Sequence, residues 1–264
     1  MRQFTNELKR IVIKIGSSSI THEGGEINLE KIWKLAWEIS NLKNKNLEII
    51  LVSSGAIAAG AKKLGLDNRP RDISGKQAAA AVGQVALMQT YSRAFGEFNY
   101  QIGQILVTKH IVTDPIMNEN AINTFDELLE RKIVPIVNEN DTISTYEIEF
   151  GDNDTLSAIV STAVNADLLI LLSDVDGFYN KDPKEKDAIL LKEVTVIDEE
   201  IKKCAGGAGT SAGTGGMVTK LNAASICMES GIDMVLVNSQ DLSILRSVIN
   251  KEEVGTLFKG EKKC

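Results

Sequence analysis

Runs of almost unbroken apolar residues constrain this chain most: residues 10–15 (RIVIKI), 47–52 (LEIILV), 167–172 (DLLILL) and 233–237 (DMVLV). Strands that are apolar along their whole length are buried on both faces. Residues 101–107 and 133–137 read as two further strands. Between these runs the apolar spacing turns helical, as in 28–45, where Leu29, Ile32, Leu35, Ala36 and Ile39 share one face. Residues 56–64, 73–95, 121–131, 156–165, 217–230 and 242–248 read as helices in the same way. Alternation of this kind implies the α/β class, a three-layer αβα sandwich around a central, mostly parallel sheet. A chain of 264 residues is normal for a single such domain. No repeat, low-complexity tract or linker interrupts it, so one domain covers 1–264, with an internal division near 165–175.

Composition excludes several functions. The net charge is -7, which disfavours non-specific nucleic-acid binding and leaves any anionic ligand to local positive groups. Cys204, Cys227 and Cys264 show no CxxC spacing and cannot all pair. With no signal peptide, free thiols in a reducing, cytoplasmic compartment are expected. No apolar run reaches membrane-spanning length. HExxH and GxSxG are absent, which argues against a zinc protease and an α/β-hydrolase. His22 and His110 lie in no motif. Trp33 and Trp37 are one helical turn apart, and core or oligomer packing suits them better than a ligand cage.

Chemistry gathers in polar loops placed just after the strands, where open α/β sheets bind ligands. Lys14-Ile15-Gly16-Ser17 follows the first strand and Ser53-Ser54-Gly55-Ala56 the second. Asn138-Glu139-Asn140-Asp141 and Ser173-Asp174-Val175-Asp176-Gly177 follow two others. Glycine lets a backbone approach a ligand closely, and serine hydroxyls donate hydrogen bonds. A loop of this kind is also an ordinary turn. Lys14 sits within an apolar strand, where a buried charge is costly unless paired. It is either a solvated edge lysine or a cation aimed at a phosphate. Gly151-Asp152-Asn153-Asp154 precedes a helix and holds more acidic residues than one cap needs. Gly213-Thr214-Gly215-Gly216-Met217-Val218-Thr219-Lys220 also precedes a helix and is either a flexible surface loop or a phosphate cradle. It has neither the Walker A spacing nor GxGxxG with an acidic partner.

Together VIKIGSSS, ILVSSGAIAAG, NENDT, GDND, LLSDVDGFYNKDP and GTGGMVTK resemble the amino acid kinase family. The resemblance runs from Lys14 to about Phe258. NEND with GDND is closest to the branch that phosphorylates the side-chain carboxylate of glutamate, the first step of proline biosynthesis. It implies that Lys14 and Lys220 contact the ATP phosphates and that Asp154 orients both lysines. Ser54, Asp141 and Asn153 would bind glutamate, while Gly16 and Gly55 allow close backbone approach. Ser173 and Asp174 would contact the nucleotide, and Thr214, Gly215, Gly216, Met217, Val218, Thr219 and Lys220 would wrap it. The substrate half then covers about 1–165 and the nucleotide half about 166–264.

The resemblance further implies Mg²⁺ with few protein ligands, feedback inhibition by proline, a homo-oligomer (dimer or tetramer) and a downstream glutamyl phosphate reductase. Many bacterial members carry a C-terminal PUA domain, and a chain ending at Cys264 is expected to lack it. Alternatives are a family member acting on aspartate, N-acetylglutamate, carbamate or a nucleoside monophosphate, and a non-catalytic nucleotide-binding regulatory subunit.

Overall fold

A computed structural model of the chain describes residues 1–108, 114–143, 153–206 and 216–261. It divides into two compact units, Met1–Lys14 with Asp154–Cys264, and Ile15–Asn153. The division of the chain thus falls between Asn153 and Asp154, ahead of the 165–175 region, and the segment before Ile15 joins the later half.

The Ile15–Asn153 unit holds β2 (Glu48–Val52), β3 (Ile102–Val107) and β4 (Val134–Glu139) in the order β3-β4-β2. Both pairings are parallel. Its helices are α1 (Ser17–Ile20), α2 (Leu29–Lys43), α3 (Ala56–Lys63), α4 (Ile73–Gly96) and α5 (Pro115–Glu130). Side-chain caps fix three of the starts: Asn28 accepts from the Lys31 amide, Asp72 from Gly75, and Asp114 from Ile116 and Met117. Helix α5 begins six residues before the apolar periodicity does. Its first turn is set by Asp114 and by Pro115, whose fixed φ suits a first helical position. Ile116 and Met117 are exposed there, so that turn adds nothing to a buried stripe.

The other unit holds β1 (Arg10–Ile15, all but its last residue), β5 (Leu168–Ser173), β6 (Glu193–Val194), β7 (Asp233–Asn238) and β8 (Thr256–Phe258). The order is β1-β5-β7-β8-β6. β5 and β7 are parallel, β8 runs antiparallel to β7, and β6 is parallel to β8. Helices α6 (Asp154–Ala163), α7 (Glu199–Ala205), α8 (Met217–Glu229) and α9 (Ile244–Ile249) complete it. The inner strands match their reading as doubly buried: every residue of β5 is buried, as are Asp233–Val237 of β7. Elements β6, β8, α1 and α7 were not expected, being too short to display a period.

Helices α3 and α4 cross at glycines. A Cβ on Gly60 would lie 1.7 Å from the Ala79 carbonyl oxygen, and one on Gly83 would lie 1.8 Å from that of Ala56. Only hydrogen fits at either position. Gly83→Ala should therefore lower stability by at least about 1–3 kcal/mol through overpacking. Thermal or urea denaturation checks this, and an unchanged midpoint would show that the crossing is slack.

Candidate active site

Lys14 lies near the end of β1, Asp154 opens α6, and Lys220 sits in the first turn of α8. The fold brings the three together. Lys14 Nζ is 2.5 Å from Asp154 Oδ1, and Lys220 Nζ is 3.1 Å from Asp154 Oδ2. Thr219 donates its hydroxyl to Asp154 Oδ2 at 3.1 Å. Lys14 is only 4% exposed and Asp154 not at all, which removes the solvated-edge reading of Lys14. Burying ions is expensive, and such a group persists only where opposite charges and hydrogen bonds meet. Two ammonium groups meet one carboxylate here, which gives these three side chains taken together a formal charge of +1.

Other anticipated residues lie in the same unit. Ser173 ends β5 and donates to the side chain of Asp174 at 3.0 Å. Ser173 is buried, while Asp174 is exposed and can meet a ligand from solution. Gly216 is the N-cap of α8, and Met217, Val218 and Thr219 lead to Lys220. Thr214 and Gly215 lie outside the described residues, as do Gly151, Asp152, His110 and Cys264.

A second polar cluster forms wholly within the Ile15–Asn153 unit. It is organised around Asn153, which is fully buried. Its Nδ2 faces the Ser53 carbonyl at 2.7 Å, Asn138 Oδ1 at 2.8 Å and Ser54 Oγ at 3.1 Å. Asn138 Oδ1 also accepts from the Glu139 amide at 3.0 Å, and Asn138 Nδ2 donates to Gln84 Oε1 at 2.9 Å. Gly55, next to Ser54, caps α3 at φ 90°, a left-handed conformation that favours glycine. Gly16 has an ordinary extended conformation at the start of α1, so its place is not dictated by φ.

Asp141 is buried close beyond β4. Burial, with the neighbouring charge of Glu139, pushes its carboxyl up to about 7. Its Oδ1 has no hydrogen-bond partner, and neither do Asn153 Oδ1 and Gln84 Nε2. Orphaned buried polar atoms are rare and costly unless something pairs with them. Asp141 and Gln84 line one cleft of about 250 Å³, with Glu139 and the apolar Ala80, Ala81, Val85 and Leu106 around them.

Sequence reasoning placed Glu139 in a polar loop without a role of its own, and did not find Gln84 or Tyr91. Tyr91 is fully buried, and its hydroxyl meets Ser53 Oγ at 3.0 Å, which steadies the turn that carries Ser54. Asn138 and Glu139, expected in a loop, extend β4 by pairing with Leu106 and Val107 of β3. The free cysteines carry no part of the site: Cys227 is buried, which pushes its thiol up, and Cys204 is half-buried on α7.

Comparisons with known proteins give these clusters a context. Residues 9–238 match the model of the amino acid kinase family. A glutamate 5-kinase of Clostridium perfringens is 52% identical, with 99% of each chain aligned. One from Listeria monocytogenes is 49% identical over 99% of this chain and 97% of its own. Among solved structures, the UMP kinase of Ureaplasma parvum superposes with TM-score 0.65 over 96% of this chain and 99% of its own, at 17% identity. An isopentenyl phosphate kinase gives 0.62 over 94% and 99%, at 20% identity. These two likenesses show the fold, the α/β class with a mostly parallel sheet and flanking helices read from the sequence.

Asp141 supplies a pH test. Its ordinary value is 3.8, and the fold raises it to about 7. Between those values the folded chain binds more protons than the unfolded one, so this group's contribution falls as pH rises through the window. Asp141→Asn removes that loss. Melting curves should show the variant gaining on the parent from about pH 4 to about pH 7 and no further above. A constant offset across the range would contradict the assignment.

Proposed function

We propose, from the premise that the chain belongs to the amino acid kinase family, that it catalyses the ATP-dependent phosphorylation of the side-chain carboxylate of L-glutamate. The products are ADP and L-glutamyl 5-phosphate, and the step opens proline biosynthesis. Relatives named glutamate 5-kinase align with this chain from end to end at about half identity. The structural observation that carries the reading is the buried Lys14–Asp154–Lys220 triad.

The chemistry asks for little acid–base work. A glutamate side chain has an unperturbed pKa of about 4.3 and is already ionised at neutral pH. Its oxygen attacks the γ-phosphorus while the bond from that phosphorus to the β–γ bridging oxygen breaks, and the electron pair leaves with ADP. No proton needs to move, so the reaction calls for no catalytic histidine. The obstacle is repulsion between a carboxylate and a triphosphate. Fixed cations around the transferred group relieve it and stabilise the transition state. Lys14 and Lys220 fill that role, with Asp154 and Thr219 holding them in place. Ser173, Asp174 and the segment Thr214 to Lys220 take the rest of the nucleotide.

ATP enters as its Mg²⁺ salt. Among the described residues no group of three or more His, Cys, Asp or Glu could hold a metal ion, and Asp154 is already engaged with both lysines. Mg²⁺ commonly keeps several waters and rides on substrate phosphates.

On the acceptor side, Asp141 pairs with the α-ammonium of glutamate, and Ser54 and Asn153 add neutral hydrogen bonds. Gly16 and Gly55 let the backbone approach phosphate and substrate. Proline as feedback inhibitor, a homo-oligomeric assembly and a glutamyl phosphate reductase that consumes the labile product belong to the same reading. So does a cytoplasmic location; no described helix is long and apolar enough to cross a membrane. A nucleoside monophosphate acceptor draws no support from the UMP kinase likeness, which rests on 17% identity.

Trapping with hydroxylamine tests the reaction. With ATP, Mg²⁺ and glutamate the hydroxamate should form, and with N-acetylglutamate it should be scarce, since an acylated nitrogen cannot pair with Asp141. Equal yields from both acceptors would refute the pairing, and no hydroxamate from glutamate would refute the function. Lys220→Ala removes a cation needed as charge develops, so kcat should fall roughly 10²-fold or more. Near-normal turnover in steady-state assays would reject its role.

A further inference from the structure

We infer that the Gln84 side-chain amide is a specificity-determining residue that reads the α-carboxylate of the amino-acid substrate. The inference rests on the function proposed above and names a contact on its acceptor side.

The argument begins at a backbone group. A main-chain N–H can only donate, so the 3.0 Å contact from the Glu139 amide fixes Asn138 Oδ1 as the acceptor. Asn138 Nδ2 must then be the donor toward Gln84 at 2.9 Å, and Gln84 must present Oε1 to it. The Gln84 Nε2 group, with two hydrogens, is what remains. The amide orientation is thus set by a chain of partners rather than chosen freely.

That NH₂ group has no partner, although Gln84 is 8% exposed. Losing the hydration of an amide without a replacement bond is costly. Helix α4 carries this cost on its buried side, where Ala79, Ala80, Gly83 and Leu87 are also buried. Asp141, whose Oδ1 is also buried and unpartnered, lines the same cleft as Gln84. The lining residues therefore include one with a fixed donor pair and one with a carboxylate acceptor, with Ala80, Ala81, Val85 and Leu106 beside them. A donor and an anionic acceptor in one small, mostly apolar cleft complement the carboxylate and ammonium of an α-amino acid. Asp141 takes the ammonium, and the Gln84 amide takes the carboxylate that is not phosphorylated.

The test compares glutamate with 4-aminobutyrate, which keeps the ammonium and the reacting carboxylate but lacks the α-carboxylate. For wild type, Gln84→Met and Gln84→Glu, the KM of glutamate and the competitive Ki of 4-aminobutyrate are measured. Gln84→Met should raise the glutamate KM roughly 10- to 100-fold, the worth of a hydrogen bond to a charged group. The 4-aminobutyrate Ki and the KM of ATP should stay within about threefold of wild type, below that range. Gln84→Glu keeps an oxygen facing Asn138, so it should fold where the methionine variant fails. Assayed at about pH 8.5, where its carboxyl is ionised, it should lose the same discrimination. A merely structural role would raise both constants together and leave their ratio unchanged, and that outcome would overturn the inference. A wild-type enzyme that forms no hydroxamate from glutamate would overturn the parent reading instead, so the two failures are distinct.

Discussion

One carboxylate holds together the part of the molecule where charge is handled. Asp154 lies fully buried at the start of α6 and faces ammonium groups from β1 and α8. These positions are far apart in sequence, and neither lysine would tolerate such burial beside a neutral partner. In the proposed function, lysines fixed in advance need not reorganise as the phosphoryl group transfers, which is where electrostatic catalysis finds its advantage. The Thr219 hydroxyl lies within hydrogen-bond distance of both the Gly216 carbonyl and the Asp154 carboxylate, and its single proton is shared between the helix cap and the ion group.

A different constraint governs the polar cluster around Asn153. It contains few formal charges and works by directional bonds among amides and hydroxyls. Asn153, Asn138 and Gln84 form a relay whose polarity is set by the Glu139 amide and the Ser53 carbonyl. Buried polar networks specify one arrangement when their members are satisfied, and each unsatisfied member is costly. Asn153 and Asp154 are consecutive residues, so the relay and the ion group are anchored on neighbouring positions of the chain.

The sequence made the strands legible because burial on both faces leaves an uninterrupted apolar run. β1, β5 and β7 agree with that reading to within a residue at each end. Where burial did not drive formation, legibility failed. The first turns of α5 rest on capping and expose Ile116 and Met117, and β8 joins by antiparallel pairing over three residues. Residues in polar loops after strands announced themselves by composition, and so Lys14, Ser54, Asp141, Asn153, Asp154 and Lys220 could be singled out. Gln84 and Tyr91 gave no such signal. Each sits inside a long helix, and its significance comes from partners remote along the chain: Asn138 for one and Ser53 for the other. A local pattern cannot encode that distance.

The glycine crossing of α3 and α4 has a bearing on how such an enzyme changes its diet. Helix α3 starts directly after Ser54 and Gly55, and α4 carries Gln84 one residue beyond Gly83. With backbone against backbone at Gly60 and Gly83, the spacing between the two helices is a gauge set by the peptide units themselves. No side chain is available there to be trimmed or enlarged by small steps. In the proposed reading, a change of acceptor would then come from replacing the groups that line the cleft beside α4 rather than from respacing α3 and α4.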